Sequence, residues 1–265
     1  MLIVQLTDTH VQGPDVGVKD GIDNNALLAE AIGSINGERP RPDLVLATGD
    51  LTNDGRPEEL DELLRLLDAI ELPLAVIPGN HDDPGAFRAA FDMAWEADDH
   101  LSWVIELGPL SIIGLDCTVP DGAPHGDFDD TRAAWLADAL ARTADRPTLL
   151  ALHHPPFASG IAAMDASRLR NADAFIAAVA AAPHVERVVC GHLHRPIIGV
   201  LTGGERPVPV TTCPATVLHP HLDLEPDTPL RLIEDPIGYQ LHRYGPAGWV
   251  TNTRYIATGA TPWTP

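Results

Sequence analysis

Short apolar runs alternate with helix-like segments over roughly the first 200 residues of the chain. These runs are rich in Val, Ile and Leu with little polar alternation, which is typical of strands covered on both faces. They occupy residues 2–6, 44–47, 74–77, 110–115, 148–152 and 187–190. The alternation of strands with helices predicts an α/β fold.

Helix signals separate these runs. Asp23 is a suitable N-cap for the first helix, and Pro57 suits the first position of the second. Asp130 or Thr131 opens a third helix. The Ala-rich segment 168–182 predicts a fourth helix that stops before the following proline.

The pattern changes after about residue 200, where Gly and Pro separate strand-like runs and no clear helix follows. The runs are residues 208–212, 239–244 and 249–256, and a long Pro- and Asp-rich loop is expected at 219–235. We predict a core at 1–200 and a segment at 201–265 that completes a second sheet and supplies a lid or an oligomer contact. Three aromatic residues of this segment favour a homo-oligomer: Trp249, Tyr255 and Trp263.

Composition limits the classes of partner. Hydrophobic residues make up 45% of the 265 residues, which is typical of a globular protein. The formal net charge is −21, with 38 Asp and Glu against 17 Lys and Arg. Such a surface repels nucleic-acid backbones and anionic lipids, so neither a nucleic-acid polymer nor a membrane is an expected partner.

Cysteine usage and the N-terminus predict a location. Cys117, Cys190 and Cys213 form no CxxC motif, which argues against a disulfide framework or a structural zinc site. The chain begins with a strand-like run instead of a signal peptide, and no run approaches the roughly 20 apolar residues of a membrane span. The expected location is the reducing cytoplasm.

Metal-ligand side chains follow five of the predicted strands. Ligands of open α/β sheets bind beyond the carboxyl ends of the strands, so parallel strands would bring these groups to one edge. The groups are Asp8-Thr9-His10, Gly49-Asp50, Gly79-Asn80-His81-Asp82, His153-His154-Pro155-Pro156 and Gly191-His192-Leu193-His194.

Spacing and chemistry both favour a metal centre. Residues two apart in an extended segment point the same way, so Asp8 and His10 are expected to aim at one point, as are His192 and His194. Sharp turns beside the ions are expected at glycines 49, 79 and 191. Carboxylate, carboxamide and imidazole without thiolate suit Mn, Fe, Co or Zn at a catalytic site, and the number of candidates suits two ions.

The order of motifs DxH, GD, GNHD, HHPP and GHxH resembles the calcineurin-like metallophosphoesterase superfamily over roughly residues 1–200. Each motif alone also fits a turn or a surface histidine, whereas five in this order are highly specific. The chain is similar to the bacterial class III cyclic-nucleotide phosphodiesterases and the related glycerophosphodiesterases. The resemblance implies a four-layer α/β/β/α sandwich of two mixed sheets flanked by helices.

The resemblance also implies a set of ligands for two divalent metal ions. The first ion would be held by Asp8, His10 and His194. The second would be held by Asn80, His153 and His192, with Asp50 as the bridge. His154 would then support the site from behind the ligand His153.

The implied activity is hydrolysis of a small phosphodiester, a cyclic nucleotide or a glycerophosphodiester, by attack of a metal-bound hydroxide. His81 would act with Asp50 and Asn80 as a catalytic residue and would also contact the phosphate. The alternative for His81 is a structural hydrogen bond within the turn. His125 and His219 are expected to contact substrate, although His221 fits as well as His219.

Other activities stay open within the family and outside it. Phosphomonoesters and phosphonate diesters suit the same core, whereas the acidic charge argues against a nuclease. A metal-binding scaffold without activity is the alternative from a different class. The complete ligand set favours the enzyme.

Overall fold

The computed structural model describes residues 1–14, 16, 22–119 and 122–256. Trp263, one of the aromatic residues expected at an oligomer contact, lies outside them. The helices are α1 (Asn24–Asn36), α2 (Pro57–Leu67), α3 (Pro84–Ala90), α4 (Asp130–Arg142), α5 (Ala162–Asp165) and α6 (Ala172–Ala180). No helix of this described part is long and apolar enough to cross a bilayer.

The strands are interspersed with these helices as far as residue 190, and strands are the regular elements among the described residues after it. They are β1 (Leu2–Leu6), β2 (Leu44–Thr48), β3 (Leu74–Ile77), β4 (Trp103–Leu107), β5 (Leu110–Leu115), β6 (Thr148–Leu152), β7 (Val185–Cys190), β8 (Ile198–Leu201), β9 (Val208–Thr212), β10 (His219–Pro220), β11 (Leu232–Ile233), β12 (Gly238–Gly245) and β13 (Gly248–Tyr255). The alternation confirms the predicted α/β class.

Two mixed sheets contain most of these strands. Sheet A has the order β13-β12-β1-β2-β3, in which β1, β2 and β3 are parallel, β12 is antiparallel to β1, and β13 is antiparallel to β12. Sheet B has the order β4-β5-β6-β7-β9-β8, in which β5, β6, β7 and β9 are parallel. Parallel strands end at the same edge, so both sheets present the carboxyl ends of several strands there.

The helices and sheets form four layers, and three clusters of buried apolar side chains pack between them. The two sheets pack face to face through side chains such as Leu46 of β2 and Ile112 of β5. The outer face of sheet A packs on α1 and α2, and the outer face of sheet B packs on α4 and α6. The central strands, such as β2 and β3, are mainly apolar because both of their faces are covered. The α/β/β/α sandwich is therefore confirmed.

Helix ends follow their sequence signals in most cases. Asp23 accepts a hydrogen bond from Ala26 N, and Pro57 occupies the first turn of α2, as predicted. Helix α4 begins at Asp130, with Asp129 as its N-cap. Helix α6 begins at Ala172 instead of Arg168, because Arg170 forms an isolated β-bridge with Asp127 and the helix starts only after it.

The tail strands are divided between the two sheets. Strands β8 and β9 lie at one end of sheet B, whereas β12 and β13 lie at one end of sheet A. Without β12, β1 would be an unprotected edge strand, and antiparallel pairing with β12 satisfies its backbone. The domain boundary at residue 200 stays a prediction. The sequence pattern also missed β4, β8 and the short pairing of β10 with β11.

Candidate metal centre and cleft

Side chains from five strand ends converge on one buried cluster. His194 Nε2 lies 3.5 Å from Asp8 Oδ1 and 3.2 Å from His10 Nε2. His153 Nε2 lies 3.2 Å from Asp50 Oδ2 and 4.0 Å from Asp8 Oδ1. These distances connect the ends of β1 and β2 in sheet A with the ends of β6 and β7 in sheet B.

The cluster divides into overlapping groups whose ligand atoms lie within 4.8 Å of one another. One group is Asp8, His10 and His194, and another is His153, His154 and His192. Asp8, Asp50 and His153 form a third group that joins the other two. Two adjacent metal positions that share a central carboxylate match this pattern.

The backbone aims these side chains through left-handed turns and not through a strand pleat. Asp8 and His10 have φ of 50° and 42°, so the expectation of an extended DxH segment is wrong. Asp50, His192 and His194 also have positive φ, at 51°, 69° and 54°. This conformation costs roughly 1–2 kcal/mol for each residue with a side chain, and such strain is concentrated at functional sites.

Two of the three site glycines serve close approach and not a turn. Gly49 has φ of 91° and does provide a turn. A Cβ on Gly79 would lie 2.2 Å from Asp50 Oδ1, and a Cβ on Gly191 would lie 2.2 Å from Thr7 Oγ1. No side chain fits at either position, so these loops pack directly against the carboxylates.

Backbone carbonyls orient two of the imidazoles. His153 Nδ1 donates to Thr48 O at 2.8 Å, and His194 Nδ1 donates to Leu218 O at 2.7 Å. The other nitrogen of each ring therefore faces the cluster. His153 Nε2 is buried and has no hydrogen-bond partner, although Asp50 lies beside it. A ring held by a carbonyl, with its second nitrogen free, is the arrangement of a metal-ligating histidine.

Burial and mutual charge set the protonation of the cluster. Burial raises the pKa of Asp8. Burial would also raise the pKa of Asp50, but His153 beside it holds that pKa well below its usual range. Burial would lower the pKa of His153, but the charge of Asp50 raises it to about 9. Burial lowers the pKa of His192 to about 3.

Asn80 and His154 meet at the cluster's outer side. His154 Nε2 lies 3.0 Å from Asn80 Oδ1, and His154 is fully buried. Sequence reasoning placed His154 behind the ligands, and its nitrogen is also within reach of a position shared with His153 and His192. Burial lowers the pKa of His154 well below its usual range, so the ring is neutral.

Asp82 is a buried carboxylate that ties two ligand loops together. Its oxygens accept hydrogen bonds from Gly79 N at 2.9 Å and from Thr52 N at 2.8 Å. Thr52 Oγ1 and the N–H of Leu51 also donate to it. Burial raises the pKa of Asp82 to about 6. Sequence reasoning missed this role, although the GNHD motif carried the signal.

His81 lies at the rim and is exposed. Its backbone N–H donates to Asp50 Oδ1 at 2.9 Å, and its Nδ1 donates to Asn53 O at 2.6 Å. The ring meets His10 edge-on, with centroids 4.7 Å apart. The backbone bond confirms that the turn carrying Asn80 also holds His81 beside the cluster.

A cleft of about 480 Å³ opens over the cluster. Its polar side includes His10, Asp50, Asn80 and His81, and its other side is apolar. Ser167 also lines it and meets His192 Nε2 at 2.9 Å. Ser167 was missed because no motif surrounds it.

Of the three histidines expected to contact substrate, His81 lines this cleft, whereas His125 and His219 do not. Pro124 lines it while His125 does not, and Leu218 and Pro220 line it while His219 does not. Burial lowers the pKa of His219 to about 4, so its ring is a neutral group of the interior. His221 is likewise not among the described lining residues.

Comparison with known proteins agrees with this site and fold. The calcineurin-like phosphoesterase family model matches residues 1–196, and the chain belongs to that family. It is 33% identical to a probable glycerophosphodiester phosphodiesterase of Arcobacter nitrofigilis over 99% of this chain and 96% of that protein. It is 32% identical to a cyclic adenosine monophosphate phosphodiesterase of Pseudomonas aeruginosa over 74% of this chain and 70% of that protein.

The architecture also matches a solved structure. A dimetal phosphatase from Danio rerio superposes with a TM-score of 0.71 and covers 96% of each chain. Its sequence identity is 14%, so the likeness shows the fold alone. The chain is therefore related to metal-dependent phosphoesterases, and its buried His and Asp groups are consistent with a dimetal site.

Proposed function

We propose that this protein is a dinuclear metal-dependent phosphodiesterase that hydrolyses small phosphodiesters. The proposal rests on two neighbouring clusters of ligand side chains, one around His194 and one around His192, which Asp50 and His153 connect. The first ion would be held by Asp8, His10 and His194. The second would be held by Asn80, His153 and His192, with Asp50 between them. Mn, Fe, Zn and Co all suit these ligands.

Two such ions lower the pKa of coordinated water and neutralise charge on phosphoryl oxygens. The chain's own part is to hold seven ligands in fixed orientations through left-handed turns, carbonyl contacts and Asp82. His81 stands beside Asp50 with Nδ1 bonded to Asn53 O, which leaves Nε2 free to face the phosphate. That nitrogen would protonate the leaving alkoxide oxygen or stabilise the charge on the phosphoryl group.

The charge of the cleft favours diesters over monoesters. None of its described lining residues is Lys or Arg. A monoester carries a second negative charge, which has no cationic side chain to meet it there. Hydrolysis of phosphomonoesters is therefore proposed only as a weaker side activity, and phosphonate diesters stay an alternative substrate class.

Glycerophosphodiesters are the first substrate class to test. The probable glycerophosphodiesterase aligns over 99% of the chain and so includes the tail, whereas the cyclic-nucleotide enzyme aligns over 74%. The tail contributes Leu218 and Pro220 to the cleft wall. A cyclic nucleotide is the second candidate.

The test uses metal-free protein reloaded with Mn²⁺, Fe²⁺, Zn²⁺ or Co²⁺. Glycerophosphodiesters, cyclic nucleotides, bis(p-nitrophenyl) phosphate and a phosphomonoester are compared by kcat/KM. We expect the highest value with a diester and none without metal. Absence of turnover with every metal and diester, while metal binds, would instead support the inactive scaffold.

A homo-oligomer in the cytoplasm is also proposed. Exposed apolar residues such as Val250 and Tyr255 on β13 support the oligomer. Three free, buried cysteines support the reducing cytoplasm. Light scattering at micromolar concentration should give a mass above 28.3 kDa. A particle of monomer mass would contradict the oligomer.

A further inference from the structure

The side of the cleft opposite the polar cluster is apolar. Its wall includes Ala163 and Met164 of α5 and residues from one tail segment, 217–232, which we call the arm. The arm residues that line the cleft are Val217, Leu218, Pro220, Leu230 and Leu232. Leu230 and Leu232 are each 51% exposed, so two large apolar side chains stand open at the mouth of the site.

The arm is fixed to the metal-ligand loop. Leu218 O accepts a hydrogen bond from His194 Nδ1 at 2.7 Å. Arg195 Nη1 donates to Pro220 O at 2.8 Å and pairs with Asp235 at 2.8 Å. The apolar wall therefore keeps a set position relative to the cluster that would hold the phosphate.

Charge decides what this wall accepts. Asp50, a proposed metal ligand, is the one carboxylate among the described lining residues, and none of them is Lys or Arg. A cationic alcohol such as aminoethanol would lose water there without gaining a counter-charge, and a second phosphate would do the same. An uncharged alkyl group would gain by leaving water.

We propose that the arm forms an apolar subsite that binds one ester group of the diester and selects an uncharged alkyl alcohol. This inference rests on the proposed phosphodiesterase function and adds the class of its alcohol. Leu230 and Leu232 are the specificity-determining residues. The subsite binds ground state and transition state alike, so its contribution lies in KM and not in kcat.

The first test is a series of glycerophosphoalkanols from methyl to hexyl, with Mn²⁺-loaded full-length protein. KM should fall about two- to fourfold for each buried methylene, with kcat nearly constant. The aminoethyl diester should show a kcat/KM about tenfold or more below that of the propyl diester. A KM that is independent of chain length, or a preference for the aminoethyl group, would overturn the subsite.

Variants locate the effect. Leu230→Asn and Leu232→Asn should flatten the dependence of KM on chain length. Leu222→Asn and Leu224→Asn are matched controls, because these leucines lie on the same arm, are 54% and 64% exposed, and do not line the cleft. Equal flattening by the controls would assign the effect to the arm's stability and overturn the assignment.

Binding without turnover separates this inference from the proposed function. Dimethyl-, diethyl- and dibutylphosphinate, whose P–C bonds replace the hydrolysable ester bonds, are titrated into the Mn²⁺-loaded protein by calorimetry. Affinity should rise with chain length in the wild type and not in Leu232→Asn. Absence of any diester hydrolysis would overturn the proposed function, whereas chain-length-independent affinity would overturn only the subsite.

Discussion

The backbone N–H of His192 points at the carboxylate of Asp8, 3.1 Å from Oδ1 and 3.0 Å from Oδ2. Asp8 follows β1 in sheet A, and His192 follows β7 in sheet B. This contact joins the two sheets at the edge where their strands end. The proposed metal centre is therefore built across the interface of two sheets, and its geometry depends on how they pack.

Reciprocal substitutions should separate the two metal positions. Asp8→Ala is expected to lower the affinity for the first ion more than that for the second. It also leaves the buried N–H of His192 without its acceptor. Asn80→Ala is expected to lower the affinity for the second ion more than that for the first. The second position has only one carboxylate, the shared Asp50, so it tolerates the loss of another ligand poorly. Metal titration with elemental analysis measures both affinities. Equal losses at both positions in both variants would contradict the assignment.

Asp82→Asn should loosen the site without touching the metal. The amide keeps only one acceptor oxygen, so if that oxygen stays on the Thr52 side, the N–H of Gly79 loses its acceptor and faces an NH2 group. We expect a loss of about 2–3 kcal/mol in the free energy of unfolding. Metal affinity should fall as well, because Asp50 and Asn80 lose their common support. Urea unfolding and metal titration give the two numbers.

The neighbouring carboxylate provides the control for Asp82. Asp83 caps α3 by accepting from Ala86 N at 2.7 Å. Asp83→Ala should cost about 1 kcal/mol of stability while metal affinity stays unchanged. If both variants lost metal affinity equally, the role given to Asp82 would be wrong.

His81→Ala should slow turnover by about 10²- to 10⁴-fold, the usual range for acid–base catalysis. Both metals should stay bound, because the ring lies at the rim and is not in the ligand set. The defect should be larger for an alkyl alcohol than for p-nitrophenolate, which leaves without a proton. Rates with both leaving groups and the metal content of the same preparation are compared. His125→Ala, outside the cleft, should leave these rates near wild type.

A different result would assign His81 to the turn. If its hydrogen bond to Asn53 O only holds the loop, both leaving groups should slow equally and metal should be lost. That outcome would remove His81 from the catalytic residues.

His242 should make the stability of the metal-free protein depend on pH. Its ring is fully buried, with Nε2 3.0 Å from Gln5 Oε1 and Nδ1 2.9 Å from Thr251 Oγ1. Burial, with a smaller effect from Arg187, lowers its pKa to about 3 from 6.5. Below a pH of about 6.5 this histidine takes up a proton in the unfolded chain, whereas the buried ring of the folded protein stays neutral down to about pH 3. Protonation therefore favours the unfolded state, and stability should fall as the pH falls towards 3.

The variant His242→Gln isolates this contribution from those of the other histidines. The wild type's advantage in free energy of unfolding over the variant should shrink by roughly 1 kcal/mol per pH unit below about pH 6.5. Urea unfolding with chelator present, at several values between about pH 7 and about pH 4.5, measures it. A pH-independent difference would show that His242 is not the titrating group.

The sequence determined the buried core strands and the types of residue that follow them. Strands β1, β2, β3, β5, β6 and β7 could be predicted because strands buried on both faces are rich in Val, Ile and Leu. The ligand candidates were legible because Asp, Asn and His recur directly after those runs. Strand β4 could not be predicted from the sequence. Its Trp103 is buried against Gly114 of the neighbouring strand, and the local sequence pattern holds no information about that contact.

Tertiary packing alone decided how those residues meet. Asp8 and His10 converge through left-handed turns, and such conformations persist only where surrounding contacts over-determine them. The pairing of β12 with β1 brings the tail to sheet A, and the bond from His194 to Leu218 O places the arm over the cleft. These contacts join residues far apart in the chain, and short-range periodicity carries no information about them.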